Sequence, residues 1–294
     1  MNKQLIIGID AGGTSIKGGL VSNNKVIDFH KIPVSSQGGN LLEDISQVIK
    51  KLKKPNTTAI GVALPGQIDQ SKGVLHYCHH YPEAQQNLPI AKQLSQKFKL
   101  PVFIDHDLNC FVLAEAILGR GKKYPIVAGI TIGTGFGFGL SIDQEIYHGS
   151  QNIIEFGHTI VDKNGPKCSC GGFGHLESYV CGKAMVRLYE KEAGRQKDTR
   201  QIVQAAENGQ KAARVVLATM SDYLTIGLAN IIYSYNPNII IIGGGLSQVN
   251  QLINPARQKT KKLLLYPDQL KTKIVKVKNA YHSNILGAAL ITKK

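Results

Sequence analysis

Two short stretches of this 294-residue chain repeat a pattern that few folds accommodate. Residues 8–14 read Gly-Ile-Asp-Ala-Gly-Gly-Thr, and residues 129–135 read Gly-Ile-Thr-Ile-Gly-Thr-Gly. Each closes an apolar run with strand character (5–10 and 126–131), and each opens onto another such run (15–21 and 137–142). A strand, a glycine turn and a returning strand, written twice, predict two related α/β halves facing one another across a cleft. Neither turn is a Gly-x4-Gly-Lys-Ser/Thr phosphate loop or a dinucleotide-binding Gly-x-Gly-x-x-Gly.

Periodicity fills in the rest. Residues 25–31 read as a third strand, entered through a turn at Ser22, Asn23 and Asn24. Leu41, Leu42, Ile45, Val48, Ile49 and Leu52 have helical spacing over 41–53. A strand over 59–64 is closed by Pro65-Gly66. A helix is expected over 90–98, then a strand over 102–105 that leads into a helix over 108–118. The second half is helix-rich (183–192, 199–208, 210–235), with strands at 239–242 and 274–277 and a closing helix at 285–292. The expected division is a first lobe of residues 1–112, with the helix at 283–294 packing back on it, and a second lobe of residues 113–282. At 43% hydrophobic residues the chain can bury a sizeable core. No linker is visible, which suits a hinged body that closes on its ligand.

Composition narrows the partners. The formal net charge of +15 invites a nucleic-acid reading. The lysines are dispersed, however, and clusters such as Lys50, Lys51, Lys53 and Lys54 or residues 259–262 read as solvated helix ends without interleaved aromatics. No nucleic-acid partner is expected. The start of the chain is too short for a signal peptide and no apolar run reaches membrane-spanning length, so no membrane partner is expected either. Five cysteines, an odd number, fit a reduced cytoplasm better than a disulfide framework.

Glycine turns between strands expose backbone N–H groups that bind phosphate oxygens. Gly12, Gly13 and Thr14 form one such turn, Gly133, Thr134 and Gly135 a second, and Gly243, Gly244 and Gly245 follow a third buried strand. Together they predict a nucleotide, with two loops on its phosphates and the third against the nucleoside. Lys17 lies just after the first loop and can supply positive charge to a phosphate. Asp10, at a strand end, is placed to hold Mg2+ directly or through water.

Between residues 155 and 177 lie His158, Cys168, Cys170 and His175, in a glycine-rich loop. Four nitrogen and sulfur donors suit tetrahedral Zn2+. Glu155 and Glu177 flank them. As hard oxygen donors they are poor members of a closed zinc site and are better explained as facing something else.

The ordered set Asp10-Ala-Gly-Gly-Thr-Ser-Ile-Lys17, Leu64-Pro-Gly66, Asp105-His-Asp-Leu-Asn109, Ile132-Gly-Thr-Gly135, Glu155-Phe-Gly-His158, Cys168-x-Cys-Gly-x-x-Gly-x-x-Glu177 and Ile242-Gly-Gly-Gly245 resembles the bacterial ROK family (repressors, open reading frames and kinases). The resemblance spans nearly the whole chain. It implies a two-lobed actin-like (ribonuclease H-like) ATPase fold and ATP-dependent phosphorylation of a hexose or N-acetylhexosamine, glucose first, at the 6-hydroxyl. It implies that Asp107 is the catalytic base and that Asn109 supports its turn at the sugar site. Gly66 then lines the sugar pocket, and Glu155, His158 and Glu177 bind sugar hydroxyls. Members are often dimers, so a homodimer is expected. Repressor members carry a winged-helix domain before the first glycine loop, for which this sequence leaves no room. Two residues depart from the pattern. His106 stands where the family has an asparagine that contacts the sugar. His175 stands where zinc-binding members have a cysteine, which makes the expected zinc set His158, Cys168, Cys170 and His175, with Cys181 as the substitute ligand.

Overall fold

The computed structural model describes residues 4–34, 40–78, 87–150, 154–278 and 282–293. Its framework is two five-stranded sheets. The first is built from β1 (Leu5–Ala11), β2 (Ser15–Ser22), β3 (Lys25–Pro33), β4 (Thr57–Leu64) and β7 (Val102–His106), in the order β3-β2-β1-β4-β7. A short hairpin of β5 (Gln67–Asp69) and β6 (Val74–Tyr77) stands apart from it. The second sheet is built from β8 (Ile126–Ile132), β9 (Phe136–Ile142), β10 (Glu145–Ile146), β11 (Ile239–Gly243) and β12 (Lys273–Lys276), in the order β10-β9-β8-β11-β12. Strand for strand the two orders correspond, and in each the last three strands run parallel. The seven-residue repeat is therefore the visible part of a whole duplicated sheet.

Chain contacts divide the molecule into two compact units. One comprises Met1–Lys123, Gly139–Ile154 and Asn279–Lys294, the other Tyr124–Phe138 and Glu155–Lys278. In the first unit, α1 (Leu41–Leu52) and α2 (Ile90–Phe98) cover one face of the sheet. Leu41, Ile45, Val48, Ile49, Leu52, Ile90 and Leu94 pack against Ile7, Ile9, Ile60 and Val62. Asn40 caps α1 by accepting the Leu42 and Glu43 N–H groups. The other face carries α3 (Asp107–Ile117) and α8 (Ser283–Leu290). Helix α8 lies so close to β1 and β4 that a Cβ on Gly8 would sit 2.1 Å from the Ile285 carbonyl oxygen, and one on Gly61 1.7 Å from that of Ala288. Only glycine permits that approach.

The second unit holds α4 (Gly182–Ala193), α5 (Thr199–Glu207), α6 (Lys211–Tyr235) and α7 (Asn250–Leu263). Helix α7 escapes the periodicity reading because Pro255 sits inside it and its composition is strongly polar. Its Leu252, Ile253, Ala256 and Thr260 are nevertheless buried at helical spacing against α6. Helix α6 corrects the membrane criterion applied to the sequence. It has 25 residues, and an 18-residue stretch of it has a mean hydropathy of 1.5, which makes it long and apolar enough to cross a membrane. Thr219, Ser221, Asp222 and Thr225 break its apolar run and hid it from a search for continuous apolar stretches. Leu217, Met220, Leu224, Leu228, Ile231 and Ile232 are buried, so core packing accounts for its composition.

Candidate active site

In the first unit the candidate residues gather at the carboxyl ends of three neighbouring parallel strands, the usual ligand edge of an α/β sheet. Asp10 is the last residue but one of β1, Gly66 lies just beyond β4, and Asp107 follows β7. The register pairs Asp10 with Ala63 and Ala63 with Asp105, so the two carboxylates share one row on one face, two strand spacings or about 10 Å apart. Gly66 adopts φ +96°, and a Cβ there would fall 2.2 Å from the Tyr77 carbonyl oxygen, so the Pro65-Gly66 turn requires glycine twice over. The first glycine loop is closed by the Gly12 N–H donating to Ser15 O at 3.1 Å, and Gly13 and Thr14 are exposed. Lys17 holds Asp10 Oδ2 at 3.2 Å and the Asn284 amide donates to Oδ1 at 3.1 Å. The carboxylate suits Mg2+ as an oxygen donor, and with both oxygens already engaged it fits a hold through water. The lysine read as a phosphate contact thus lies against Asp10.

The turn from β7 into α3 is hydrogen-bonded throughout. Asp105 is 4% exposed, and its Oδ1 accepts the His106 N–H at 2.7 Å and the Asn109 amide at 2.8 Å. Asn109 is buried, so it supports the turn from beneath. Asp107 opens α3, and its Oδ1 accepts the Leu108 N–H at 2.8 Å. His106 is the N-cap of the same helix, with Nδ1 3.3 Å from the Leu108 nitrogen. The histidine that replaces asparagine therefore keeps an acceptor for the cap. A residue that spacing did not reveal, His148, places Nε2 2.8 Å from Asp105 Oδ2. Burial pushes the Cys110 thiol well up, and the charges of Asp105, Asp107 and Asp10 add to this, so three carboxylates bear on one spot.

In the second unit, the Gly133 N–H donates to Gly135 O at 3.0 Å, closing the second glycine turn around an exposed Thr134. A Cβ on Gly133 or on Gly245 would meet open space. No packing demand explains glycine at these positions, and the bare backbone leaves room for a ligand to approach. The third loop bends at Gly244 (φ +83°), whose carbonyl accepts from the Ser247 N–H and hydroxyl after Gly243 ends β11. Glu177 Oε2 accepts the Phe136 N–H at 2.8 Å, and Oε1 lies 3.5 Å from the Ser169 hydroxyl.

The donor atoms of His158, Cys168, Cys170 and His175 all lie within 4.8 Å of one another. A zinc tetrahedron with bonds of about 2.0–2.3 Å has edges of ~3.5 Å, so the four fit after a small contraction. Burial would raise the Cys168 thiol, but hydrogen bonds from the Cys170 backbone and the His175 ring outweigh it and bring it to about 6. A thiol ready to lose its proton suits a metal ligand. Cys181 stands outside the group. It caps α4 by accepting the Ala184 N–H at 3.3 Å, and burial pushes its thiol up to about 11. His158 directs Nδ1 to Cys168 at 3.7 Å and Nε2 to Glu155 at 3.8 Å, so its two nitrogens serve the donor cluster and the flanking carboxylate respectively. Beneath this turn, Phe138 packs at 5.2 Å from both Phe156 and Tyr235. Asp162 accepts the hydroxyls of Tyr179 and Tyr223 at 2.7 and 3.3 Å, bracing the other end of the loop.

The profile described as the ROK family matches residues 6–294. A glucokinase of Thermotoga maritima is 30% identical, over 100% of this chain and 99% of its own length. An N-acetyl-D-glucosamine kinase of Vibrio atlanticus is 30% identical, over 98% and 99%. Among solved structures, a ROK hexokinase from Thermus thermophilus superposes with a TM-score of 0.82 at 26% identity, covering 98% of this chain and 97% of its own. A ROK glucokinase from Streptomyces griseus, solved with glucose and AMPPNP, has a TM-score of 0.86 at 24% identity, covering 98% of each chain. These likenesses identify the duplicated α/β sheets as the actin-like ATPase fold. Matched along almost its whole length by the family profile and by full-length relatives, this chain belongs to the ROK family.

Proposed function

We propose that the protein transfers the γ-phosphoryl group of ATP to the 6-hydroxyl of a hexose, with glucose as the first candidate and N-acetylglucosamine as the second. The observation that carries this reading is the row of groups at the strand ends of the first unit. Asp10 sits beside a glycine turn, and Asp107 stands at the head of a helix, its turn hydrogen-bonded at Asp105, Asn109 and Leu108. Full-length relatives that are kinases of glucose and of N-acetylglucosamine support it.

Asp107 acts as general base, accepting the proton of the attacking hydroxyl, a contribution of about 10²–10⁴-fold. Glu155 and Glu177 accept hydrogen bonds from sugar hydroxyls, and His106 and His158 meet the sugar through ring nitrogens. Gly66 leaves its turn open to the sugar, and Asn109 supports the site from within the helix. Gly12, Gly13, Thr14, Gly133, Thr134 and Gly135 offer N–H and hydroxyl donors to the phosphates, with Lys17 adding charge beside them. Gly243, Gly244 and Gly245 keep a bare backbone against the nucleoside. Mg2+, held near Asp10, would neutralise charge on the transferred phosphoryl. Zn2+ at His158, Cys168, Cys170 and His175 is structural and fixes the wall that carries Glu155 and Glu177. Exposed Leu263, Leu265 and Tyr266 offer an apolar surface for a homodimer. An odd number of cysteines, five, suits a reducing cytoplasm.

A coupled ADP-release assay over a panel of hexoses and N-acetylhexosamines, with Asp107→Asn as control, tests the reading. Turnover on at least one sugar, lost in the variant, is expected. No turnover on any sugar, or equal turnover in the variant, overturns it.

A further inference from the structure

An ionised carboxylate as deeply buried as Asp105 is costly unless it is paired and hydrogen-bonded. Its Oδ1 takes two donors from its own turn, and its Oδ2 is met by His148. A carboxylate accepting on both oxygens leaves the imidazole as donor, so Nε2 of His148 carries a proton.

The local fold delivers His148 to this place. Strands β9 and β10 join through Asp143 and Gln144, both left-handed (φ 51° and 65°), a two-residue hairpin turn. The Tyr147 N–H donates to Leu140 O at 2.8 Å, carrying the pairing one residue past β10. Ile146 is buried with Cys110 and Leu113 of α3. Residues two apart in an extended chain share a face, so His148 follows Ile146 to the α3 side. A Cβ on Gly139 of β9 would lie 2.6 Å from Leu108 O, so the hairpin presses against the first turn of α3.

We propose that His148 is a positioning residue for phosphoryl transfer, fixing through Asp105 the turn that presents Asp107; the proposal rests on the kinase reading above. The bonds run from His148 to Asp105 and from Asp105 to the His106 N–H and the Asn109 amide; Asp107 is the next residue of that turn, its Oδ1 accepting the Leu108 N–H. There is an electrostatic part as well. Lys17 answers the charge of Asp10, and the N–H dipole of His148 faces Asp105. Without His148, Oδ2 of the buried Asp105 loses its donor, and the turn that Oδ1 holds shifts and re-aims Asp107.

The test compares His148→Ala and His148→Gln with the wild type, with His148→Phe, a ring lacking N–H, replacing the alanine variant if that variant does not fold. His148→Ala is expected to lower kcat about 10- to 100-fold while the sugar dissociation constant stays within about threefold. His148→Gln, whose amide can still donate to Asp105, recovers most of kcat. Undiminished kcat in His148→Ala, or a glutamine variant no better than alanine, overturns the proposal. A second readout needs no turnover. In isotope-labelled protein the His106 amide proton, held by Asp105, moves in His148→Ala and stays in His148→Gln. An unmoved His106 amide in His148→Ala overturns the proposal whatever the turnover. A wild type inactive on every sugar, with the amide moving as expected, overturns the kinase reading and with it the link to phosphoryl transfer, while the hold of His148 on the turn stands.

Discussion

The Oε2 atom of Glu177 accepts the backbone N–H of Phe136 at 2.8 Å, which fastens the His–Cys loop segment to the second glycine turn. One carboxylate thereby serves a proposed sugar contact and the geometry of a proposed phosphate loop. Glu177→Ala leaves the Phe136 N–H without its acceptor, at a cost of about 1–3 kcal/mol. It is expected to raise KM for ATP as well as for the sugar, each by roughly tenfold. Initial-rate kinetics with both substrates varied check this, and a change confined to the sugar would break the link.

Asp107→Asn keeps the shape and an acceptor for the Leu108 N–H while removing the base. Its kcat should fall about 10²–10⁴-fold. Calorimetric titration should find sugar affinity within about threefold of wild type, since the loss belongs to the transition state.

His106→Asn retains an N-cap acceptor, so thermal stability should stay within about 0.5 kcal/mol. The reach and donor set of the side chain change, however. The ratio of kcat/KM between glucose and N-acetylglucosamine should shift by about tenfold in one direction. An unaltered ratio would remove His106 from the sugar contacts.

Metal analysis of chelator-free protein should find close to one equivalent of zinc per chain. Cys168→Ser or Cys170→Ser should abolish it and lower Tm by several degrees, since the bound metal stabilises only the folded chain. Less than a tenth of an equivalent in the wild type would defeat the zinc assignment.

Glu115 is buried, and that burial raises its carboxyl above the ordinary 4.5 despite hydrogen bonds from the Arg120 N–H and the Ser283 hydroxyl. A raised folded-state value favours the protonated form on folding. The stability it contributes is full below the unfolded value and is lost as pH rises through the folded value. Glu115→Gln can still accept from Arg120 and donate to Ser283 without ionising. Tm of the wild type should therefore fall relative to Glu115→Gln as pH rises above 4.5, and parallel profiles would contradict this.

Several parts of the fold were legible because local and global demands coincide. Ile90, Leu94 and Phe98 define α2 at both its ends, and the paired glycine turns announce duplicated sheets whose remaining strands follow suit. The four proposed zinc donors fall within 18 residues, so spacing alone collects them. What stayed hidden depends on tertiary placement. Helix α7 contradicts its own proline and polar composition and is held by α6. His148 meets Asp105 across 43 residues, and nothing in either neighbourhood signals the other. The resemblance already implies that Asn109 supports its turn, and the structure adds the partner, the Asp105 carboxylate.

The closeness of α8 to Gly8 and Gly61 also bears on how the chain is made. A ribosome delivers β1 and β4 first, and segments able to fold on their own begin to do so as they emerge. Here the face of the first sheet that α8 occupies waits uncovered until residues 283–290 have been synthesised. A sheet whose first strands emerge early is completed late, and a ribosome stalled before residue 283 would leave the part of that face beneath α8 open to aggregation or to a chaperone.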